Sequence, residues 1–214
     1  EDPRVLARHM KRLLYFLGAD MVGICRIPEY ARYVYPDGSV GGAGMDYAIV
    51  YLMVKDTKTV EASHGYEWID DPVSMQTYLG LAVMGDVASG YLRNLGYQAD
   101  ASVIFRYKTL VTPLLIAAGL AEGSRLGIGL NPFVGANFKA AAVLTNLEME
   151  VDKPIDFGLQ EYCAHCDICA TQCRTKAISN REKEVYNNYE TWKQDNKRCF
   201  VANQTNRTGQ ISQR

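Results

Sequence analysis

Four cysteines lie within eleven residues in the last third of the chain, at Cys163, Cys166, Cys169 and Cys173. They are separated by two, two and three residues, a bacterial spacing in which the thiolates ligate a 4Fe–4S cluster. In proteins with two such clusters, the fourth thiolate ligates the other cluster. The spacing therefore predicts iron–sulfur chemistry at this run and a second cluster close to Cys173.

Two other interpretations of the cysteine run are weaker. A structural zinc site usually takes its cysteines in two separated pairs, and disulfide geometry does not suit cysteines this close in sequence. Arg174 stands where a proline commonly follows the fourth cysteine, but that proline supplies no ligand. His165 lies inside the run, and we expect it to be solvated rather than a ligand. The run therefore favours an iron–sulfur cluster.

A fifth cysteine is a candidate ligand of the second cluster. Cys199 follows Cys173 by 26 residues, in a stretch from residue 180 that is too polar to fold around a core of its own. Two clusters with four thiolates each need more thiols than the chain contains, because only Cys25 remains and it stands in an apolar segment. We therefore expect the missing ligands to lie beyond Arg214; the alternative is that the clusters are incomplete.

The composition bounds the size and the partners of the protein. At 214 residues the chain suits one or two domains. Its 23 Lys and Arg against 24 Asp and Glu give a net charge of −1, so the chain lacks the basic surface that nucleic-acid binding requires. Five of the six cysteines fall between residues 163 and 199, which indicates metal binding rather than disulfides.

The residues before the cysteine run are predicted to form a layered domain. Apolar residues at helical spacing predict helices, and short apolar runs predict strands. The predicted helices cover residues 3–17, 72–95 and 112–118, and the predicted strands cover residues 19–27, 47–54, 99–105 and 138–147. We therefore predict an α/β or α+β domain over residues 1–150, followed by an iron–sulfur domain over residues 151–214.

The longest predicted helix carries a stripe of apolar residues. Spacings of three and four residues separate most members of this stripe, which are Met75, Leu79, Ala82, Val83 and Val87. A stripe of this kind ordinarily packs against a core. We therefore expect these side chains to be buried.

Glycines are concentrated between residues 119 and 129, where four of eleven residues are glycine. Because glycine has no side chain, such a segment lets the backbone approach a large flat ligand closely. The alternative is a plain mobile loop. Composition alone does not separate these two interpretations.

The order of several motifs resembles the corrinoid-dependent reductive dehalogenases. The segments that carry the resemblance span nearly the whole chain and are residues 18–24, 112–125, 131–139, 143–147, 152–158 and the cysteine run. The resemblance implies a nitroreductase-like domain over residues 1–150 that binds base-off cobalamin. It also implies a ferredoxin-like domain over residues 151–214 with two 4Fe–4S clusters, and further cluster cysteines after Arg214.

The same resemblance suggests which residues hold the cofactors. It implies that the corrin lies against the glycine-rich segment and the asparagine after it, at Gly119, Gly123, Ser124, Arg125 and Asn131. It implies that the clusters are ligated by Cys163, Cys166, Cys169, Cys173 and Cys199.

Tyr78 and Lys139 are the catalytic pair that the resemblance implies. Family members protonate the dehalogenated carbon with a tyrosine and place a cationic side chain beside it to stabilise the phenolate. By position relative to the motifs, Tyr78 is the expected proton donor and Lys139 the expected cation. Tyr78 could instead be one of 14 tyrosines that simply pack, and Lys139 could extend to solvent.

The implied activity is reductive dehalogenation of a small organohalide such as a chlorinated hydrocarbon. The electrons would come from a donor protein or a quinol-linked chain. By resemblance to respiratory members, we expect export by the twin-arginine route to the outer face of the cytoplasmic membrane and docking to a membrane anchor subunit. A cytoplasmic location is the alternative.

Three other classes of protein compete with this interpretation. An epoxyqueuosine reductase-like enzyme would share the corrinoid domain and the cysteine motif, but that family has an acidic residue and a Glu-Arg pair in the helix that here covers residues 112–118. A protein that only handles corrinoids would not need the cysteine run. A ferredoxin-type electron carrier would not need about 150 residues of layered domain before it.

Overall fold

The computed structural model describes residues 2–62, 70–186 and 188–205, with side chains described for residues 2–62, 71–186 and 188–201. The helices are α1 (Pro3–Leu17), α2 (Thr57–Ala62), α3 (Asp70–Asn94), α4 (Val111–Ala117), α5 (Leu159–His165), α6 (Ile168–Gln172) and α7 (Asn196–Thr205). The strands are β1 (Met21–Arg26), β2 (Tyr47–Val54), β3 (Ala99–Ser102), β4 (Glu122–Gly123), β5 (Gly129–Leu130), β6 (Phe138–Thr145), β7 (Glu184–Tyr186) and β8 (Tyr189–Thr191).

A four-stranded antiparallel sheet organises the first part of the chain. Its strand order is β1-β2-β6-β3, and the long central pair β2 and β6 runs in register from Tyr47 opposite Thr145 to Val54 opposite Phe138. Antiparallel strands with helices packed on them define an α+β architecture, which confirms the predicted fold class. The strands β4 and β5 form a separate hairpin in the glycine-rich segment.

Both faces of the sheet are buried, and each face has its own core. Alternate residues of β6 point to opposite faces, so Ala141 and Val143 pack with α1 and α3 while Ala142 and Leu144 pack with α4. This arrangement explains why β2 and β6 are apolar over almost their whole length rather than alternating with polar residues.

Helix α1 forms where the sequence predicts it and has signals at both ends. The Asp2 side chain accepts a hydrogen bond from the backbone N–H of Arg4, with Pro3 in the first turn, and Gly18 ends the helix in the left-handed conformation at φ 109°. The buried residues of the helix recur at helical spacing and are Ala7, Met10 and Leu14. They form part of the core on the α3 side of the sheet.

Helix α3 also forms as predicted, but it buries a different face. The expected core residues Met75, Leu79, Val83 and Val87 are exposed by 49%, 65%, 55% and 46%, whereas Leu81, Met84, Ala88 and Leu92 are buried. The helix has apolar residues on most of its circumference, so spacing alone could not choose the face. Gly85 permits the observed face to approach the sheet, because a Cβ there would lie 2.5 Å from the Tyr51 hydroxyl.

The strand predicted over residues 99–105 is shorter than expected. Strand β3 ends at Ser102, and the chain turns at Phe105, which has a left-handed backbone at φ 64°. The Ser102 hydroxyl accepts the backbone N–H of Lys108, which stabilises the turn. The turn brings Tyr107 back towards the sheet, where its hydroxyl lies 3.4 Å from the Ala140 carbonyl oxygen.

Cys25, the cysteine that precedes the cysteine run, is buried. Cys25 lies in the core on the α4 side of the sheet, where burial and, to a smaller extent, Asp152 raise the pKa of its thiol to about 12. A thiol of this kind stays protonated at neutral pH and is a poor metal ligand.

Within residues 2–62, 70–186 and 188–205, no helix is long and apolar enough to cross a bilayer.

We expect Gly85→Ala and Gly90→Ala to have opposite effects on stability. At Gly85 the new methyl group overlaps Tyr51, whose hydroxyl donates to the Leu81 carbonyl at 2.8 Å, so the free energy of unfolding should fall by about 1–3 kcal/mol. At Gly90 of the same helix the nearest atom is 3.8 Å away, so alanine should be neutral or stabilising by about 0.4–1 kcal/mol. Urea denaturation of both variants measures the difference, and equal midpoints would contradict this packing of α3.

Candidate functional site

The cysteine run is folded into two short helices and the turns that follow them. Cys163 lies in α5 and is buried, Cys166 follows the end of α5, Cys169 lies in α6, and Cys173 follows α6. Cys199 lies in α7 and is exposed. Among the described residues, no three Cys, His, Asp or Glu side chains converge closely enough to hold a metal ion. The assignment of these cysteines as cluster ligands therefore stays a prediction.

The surroundings of the thiols nevertheless fit a thiolate cluster. Burial raises the pKa of Cys169, a hydrogen bond from the Ala170 backbone N–H lowers it in part, and the charges of Cys163 and Cys166 raise it further. Burial would also raise the pKa of Cys173, but its Sγ receives hydrogen bonds from the Thr175 hydroxyl and from backbone amides, which bring the pKa to about 7. Hydrogen bonds to sulfur are one of the levers by which proteins tune iron–sulfur clusters.

A buried carboxylate from the glycine-rich hairpin of β4 and β5 bonds the N-terminus of helix α5. The side chain of Glu122, in β4, accepts backbone N–H groups of Phe157, Leu159 and Gln160 at 3.0, 3.2 and 2.9 Å. These amides have no partner within the helix, and the carboxylate also complements the positive end of the helix dipole. The sequence analysis did not select Glu122, although a single carboxylate between the apolar residues 114–121 and the glycines was a signal of a paired, buried charge.

Arg125 holds the other end of the same helix. Its Nε donates to the carbonyl oxygens of Cys163 and Cys166 at 3.0 and 2.9 Å, and its Nη2 donates to those of Cys163 and Ala164 at 2.7 and 3.3 Å. Its Nη1 donates to the carbonyl oxygens of Ser179 and Arg181 at 3.2 and 3.0 Å. One side chain therefore joins the glycine-rich segment, the cysteine run and the segment after it.

The polar stretch from residue 180 onward, the polar tail, packs on Arg125 through Trp192. The Trp192 ring is buried, and the Arg125 guanidinium carbon lies 5.0 Å from the ring centroid, with the Lys183 Nζ at 4.6 Å. Gly127 permits a close approach, because a Cβ there would lie 2.5 Å from the side chain of Gln194. The tail therefore packs against the rest of the chain rather than around a core of its own.

The residues predicted to bind the corrin are occupied with contacts inside the protein. A Cβ at Gly119 would lie 2.3 Å from the Lys153 carbonyl oxygen, so this glycine permits the chain to the cysteine run to pass closely. The Ser124 hydroxyl donates to the Ile128 carbonyl at 2.7 Å, and the buried Asn131 amide donates to the Leu120 carbonyl at 2.8 Å. Gly123 faces Gln160. A role of these residues towards a corrin stays a prediction.

Tyr78 and Lys139 come together, although 61 positions separate them in the chain. Helix α3 packs on β6, and the Lys139 Nζ lies 5.1 Å from the centroid of the Tyr78 ring. A third residue joins them, because the Tyr78 and Tyr107 hydroxyls are hydrogen-bonded. Burial raises the pKa of Tyr78, and this hydrogen bond lowers it in part. Tyr107 was not selected from the sequence, where nothing distinguishes it from the other tyrosines.

An exposed apolar surface lies beside this pair. It consists of the outer face of α3, with Met75, Leu79, Val83 and Val87 all exposed by 46% or more. Tyr78 lies at its edge, directly before Leu79 in the helix. An exposed apolar surface of this kind marks a place where a ligand or another part of a protein packs.

Comparison with known proteins gives relatives of one kind. The chain is 30% identical to a tetrachloroethene reductive dehalogenase of Desulfitobacterium hafniense, over 93% of this chain and 45% of the relative. It is 37% identical to a trichloroethene reductive dehalogenase of Dehalococcoides mccartyi, over 80% of this chain and 32% of the relative. The chain therefore spans less than half of the length of these relatives. No protein-family model matches it.

Solved structures agree with the sequence relatives. The catabolic reductive dehalogenase NpRdhA superposes with a TM-score of 0.85 at 39% identity, over 93% of this chain and 29% of that chain. An epoxyqueuosine reductase superposes with a TM-score of 0.60 at 14% identity, over 91% of this chain and 56% of that chain, which shows a shared fold alone.

The fold and the cysteine run define a class of protein in which an α+β domain of this type is joined to a run of closely spaced cysteines. Within that class the identities separate the two groups of neighbours, because they are 30–39% to reductive dehalogenases and 14% to the epoxyqueuosine reductase. The chain belongs to the reductive dehalogenase family.

We expect Glu122→Ala to loosen helix α5 and the cysteines attached to it. The substitution leaves three backbone amides without their acceptor, which should lower the free energy of unfolding by about 1–3 kcal/mol and reduce the iron retained after anaerobic reconstitution. Iron and sulfide analysis together with thermal unfolding measures both effects. Glu122→Gln keeps an acceptor oxygen and should recover part of the loss, and Glu148→Ala, at an exposed position, is the control. Parent-like iron content in Glu122→Ala would contradict this role.

Proposed function

We propose that this chain forms the corrinoid-binding and iron–sulfur portion of a reductive dehalogenase that removes a halogen from a small organohalide. The observation that carries the proposal is the contact of Lys139 with Tyr78 beside an exposed apolar helix face. The family relatives support it, since the matched proteins are named tetrachloroethene and trichloroethene reductive dehalogenases. A related solved enzyme with a TM-score of 0.85 is described as carrying out B12-dependent dehalogenation.

In this proposal, the domain before the cysteine run and the cysteine run itself would hold different cofactors. A bound corrinoid would supply low-valent cobalt for reduction of the organohalide, and two 4Fe–4S clusters would supply single electrons. The residues that would hold the first cluster are Cys163, Cys166 and Cys169, with Cys173 and Cys199 assigned to the second. The outer face of α3 would offer an apolar surface to a bound corrinoid.

Tyr78 would donate the proton that the dehalogenated carbon needs. Loss of halide with two electrons leaves an electron-rich carbon, which a positioned acid must protonate. The raised pKa of the Tyr78 phenol keeps it protonated at neutral pH, so it is ready to donate. The hydrogen bond with Tyr107 lowers this pKa and so makes the proton easier to release.

Lys139 would stabilise the phenolate that remains after this transfer. An ammonium group beside a partly buried phenol favours its charged form. Lys139 begins β6, where the sheet fixes its backbone opposite Met53, so its position relative to α3 is held by strand pairing and helix packing together. This geometry favours a functional cation over a lysine that only extends to solvent.

The substrate class and the partners follow from the same proposal. One solved relative was obtained in complex with 3-bromo-4-hydroxybenzoic acid, and the sequence relatives are named for chlorinated ethenes. We therefore infer a small organohalide substrate and a donor that delivers electrons to the cysteine region. Export by the twin-arginine route and docking to a membrane anchor remain part of the proposal.

The test begins with anaerobic reconstitution of the natural polypeptide that contains this chain, with iron, sulfide and cobalamin. We expect a base-off Co(II) signal and reducible 4Fe–4S clusters in electron paramagnetic resonance, and halide release from chlorinated ethenes or brominated phenols with a low-potential reductant. Clusters without bound corrin, or both cofactors without halide release, would overturn the proposal.

A variant of Tyr78 separates the acid from the cofactors. Tyr78→Phe should retain both cofactor signals and lose about 10²-fold or more of the turnover, which is the usual contribution of a positioned acid. Tyr91→Phe, on the same helix and hydrogen-bonded to His9 at 2.8 Å, is the matched control and should keep parent turnover. Turnover near the parent rate in Tyr78→Phe would show that another group donates the proton.

We expect Tyr107→Phe to change the pH dependence in a defined direction. The hydrogen bond with Tyr107 lowers the pKa of Tyr78, so its removal should raise that pKa and move the alkaline limb of kcat to higher pH. Because Tyr78 becomes a weaker acid, turnover at neutral pH should fall by up to about fivefold, which corresponds to roughly 1 kcal/mol for one hydrogen bond. Tyr35→Phe, at an exposed position, should leave the profile unchanged. A limb that stays in place or moves to lower pH would disprove the role of Tyr107.

A further inference from the structure

The Arg125 side chain carries a buried positive charge that forms no salt bridge with the described residues. It is 5% exposed, and within the described part of the chain none of its contacts is with a carboxylate. Its six hydrogen bonds go to five carbonyl oxygens, which are dipoles and do not neutralise a full charge. A buried charge without a counter-charge is costly, so a buried arginine normally has an anionic partner.

The position of the guanidinium indicates where that anion belongs. Three of the five carbonyl groups are those of Cys163, Ala164 and Cys166, inside the cysteine run. The neighbours on the other side are Trp192, with the Lys183 ammonium against the same ring, so no compensating negative charge comes from there.

A cluster ligated by thiolates is the anion that fits this position. It is negatively charged and becomes more negative on reduction, so a nearby buried cation favours its reduced form. Planarity and several fixed donors suit a guanidinium for this task, because it can bond the loop carbonyls while its charge stays beside the thiolates.

We propose that Arg125 is the counter-cation and positioning residue of the cluster held by Cys163, Cys166 and Cys169, rather than a corrin contact. It fixes the path of the cysteine run through its carbonyl groups and raises the reduction potential of the cluster. This inference rests on the proposed function, since it assumes that the cysteines hold a cluster.

The test is a redox titration of the reconstituted natural polypeptide, followed by electron paramagnetic resonance. Arg125→Gln removes the charge and should move the midpoint potential of a cluster to more negative values, by about 59 mV if the equilibrium between its reduced and oxidised forms changes tenfold. Arg125→Lys keeps the charge and should hold the potential closer to that of the parent. Iron content is measured in parallel, so that the result does not depend on enzyme activity.

Arg32 offers a matched control for a buried arginine that bonds a loop. Its guanidinium donates to the carbonyl oxygens of Gly42 and Met45 at 2.7 and 2.8 Å, and its side chain is 8% exposed, but its loop carries no cysteine. Arg32→Gln should therefore cost stability without a shift in the cluster potential. A shift equal to that of Arg125→Gln would mean that general loosening of the fold, not the charge, causes the effect.

Each remaining outcome decides the proposal. A full cluster with the parent potential in Arg125→Gln would overturn it. If Arg125→Gln retains no cluster, Arg125→Lys decides, because retention at a potential near the parent value supports a charge effect and loss of the cluster in both variants overturns the counter-cation role. A parent protein without any cluster would overturn the proposed function itself, whereas a parent with clusters and dehalogenase activity but insensitive Arg125 variants would overturn this inference alone.

Discussion

A buried guanidinium constrains how the cysteine segment lies against the sheet domain. Burial removes the hydration of the Arg125 guanidinium, which costs free energy. Several hydrogen-bond acceptors must therefore surround the group to offset this cost. Carbonyl oxygens at the end of α5 and after α6 provide them. Hydrogen bonds to one side chain therefore position the backbone of the cysteine run, and that side chain belongs to the glycine-rich hairpin.

The same hairpin supplies the opposite charge to the other end of the helix. Helix α5 has only seven residues, which is too short for stability by itself. Glu122 accepts its first amides and Arg125 bonds its last carbonyls, so a negative side chain lies at the positive end of the helix dipole and a positive one at the negative end. The cysteine run is thereby fixed to the part of the chain that carries Tyr78.

The residues around the proposed acid come from three separate elements. Tyr78 lies in a helix, Lys139 at the start of a strand, and Tyr107 in the turn after β3. Their meeting depends on the face that α3 turns to the sheet, since a rotation of that helix would move the phenol away from Lys139. Gly85 permits this rotation, because a Cβ there would lie 2.5 Å from the Tyr51 hydroxyl. The exposed apolar face beside Tyr78 is a consequence of the same rotation.

The sequence by itself determined most helices and strands that precede the cysteine run, because capping residues and apolar periodicity are local signals. The spacing of the cysteines predicts iron–sulfur ligation by a local signal of the same kind. The sequence also indicated Tyr78 and Lys139 through resemblance, and their contact agrees with that pairing. Only the tertiary structure decided which face α3 buries, that Arg125 and Glu122 bond the cysteine helix, and that Tyr107 joins Tyr78. These features depend on contacts between residues far apart in the chain, and neither the spacing nor the type of a residue shows which distant backbone group it will meet.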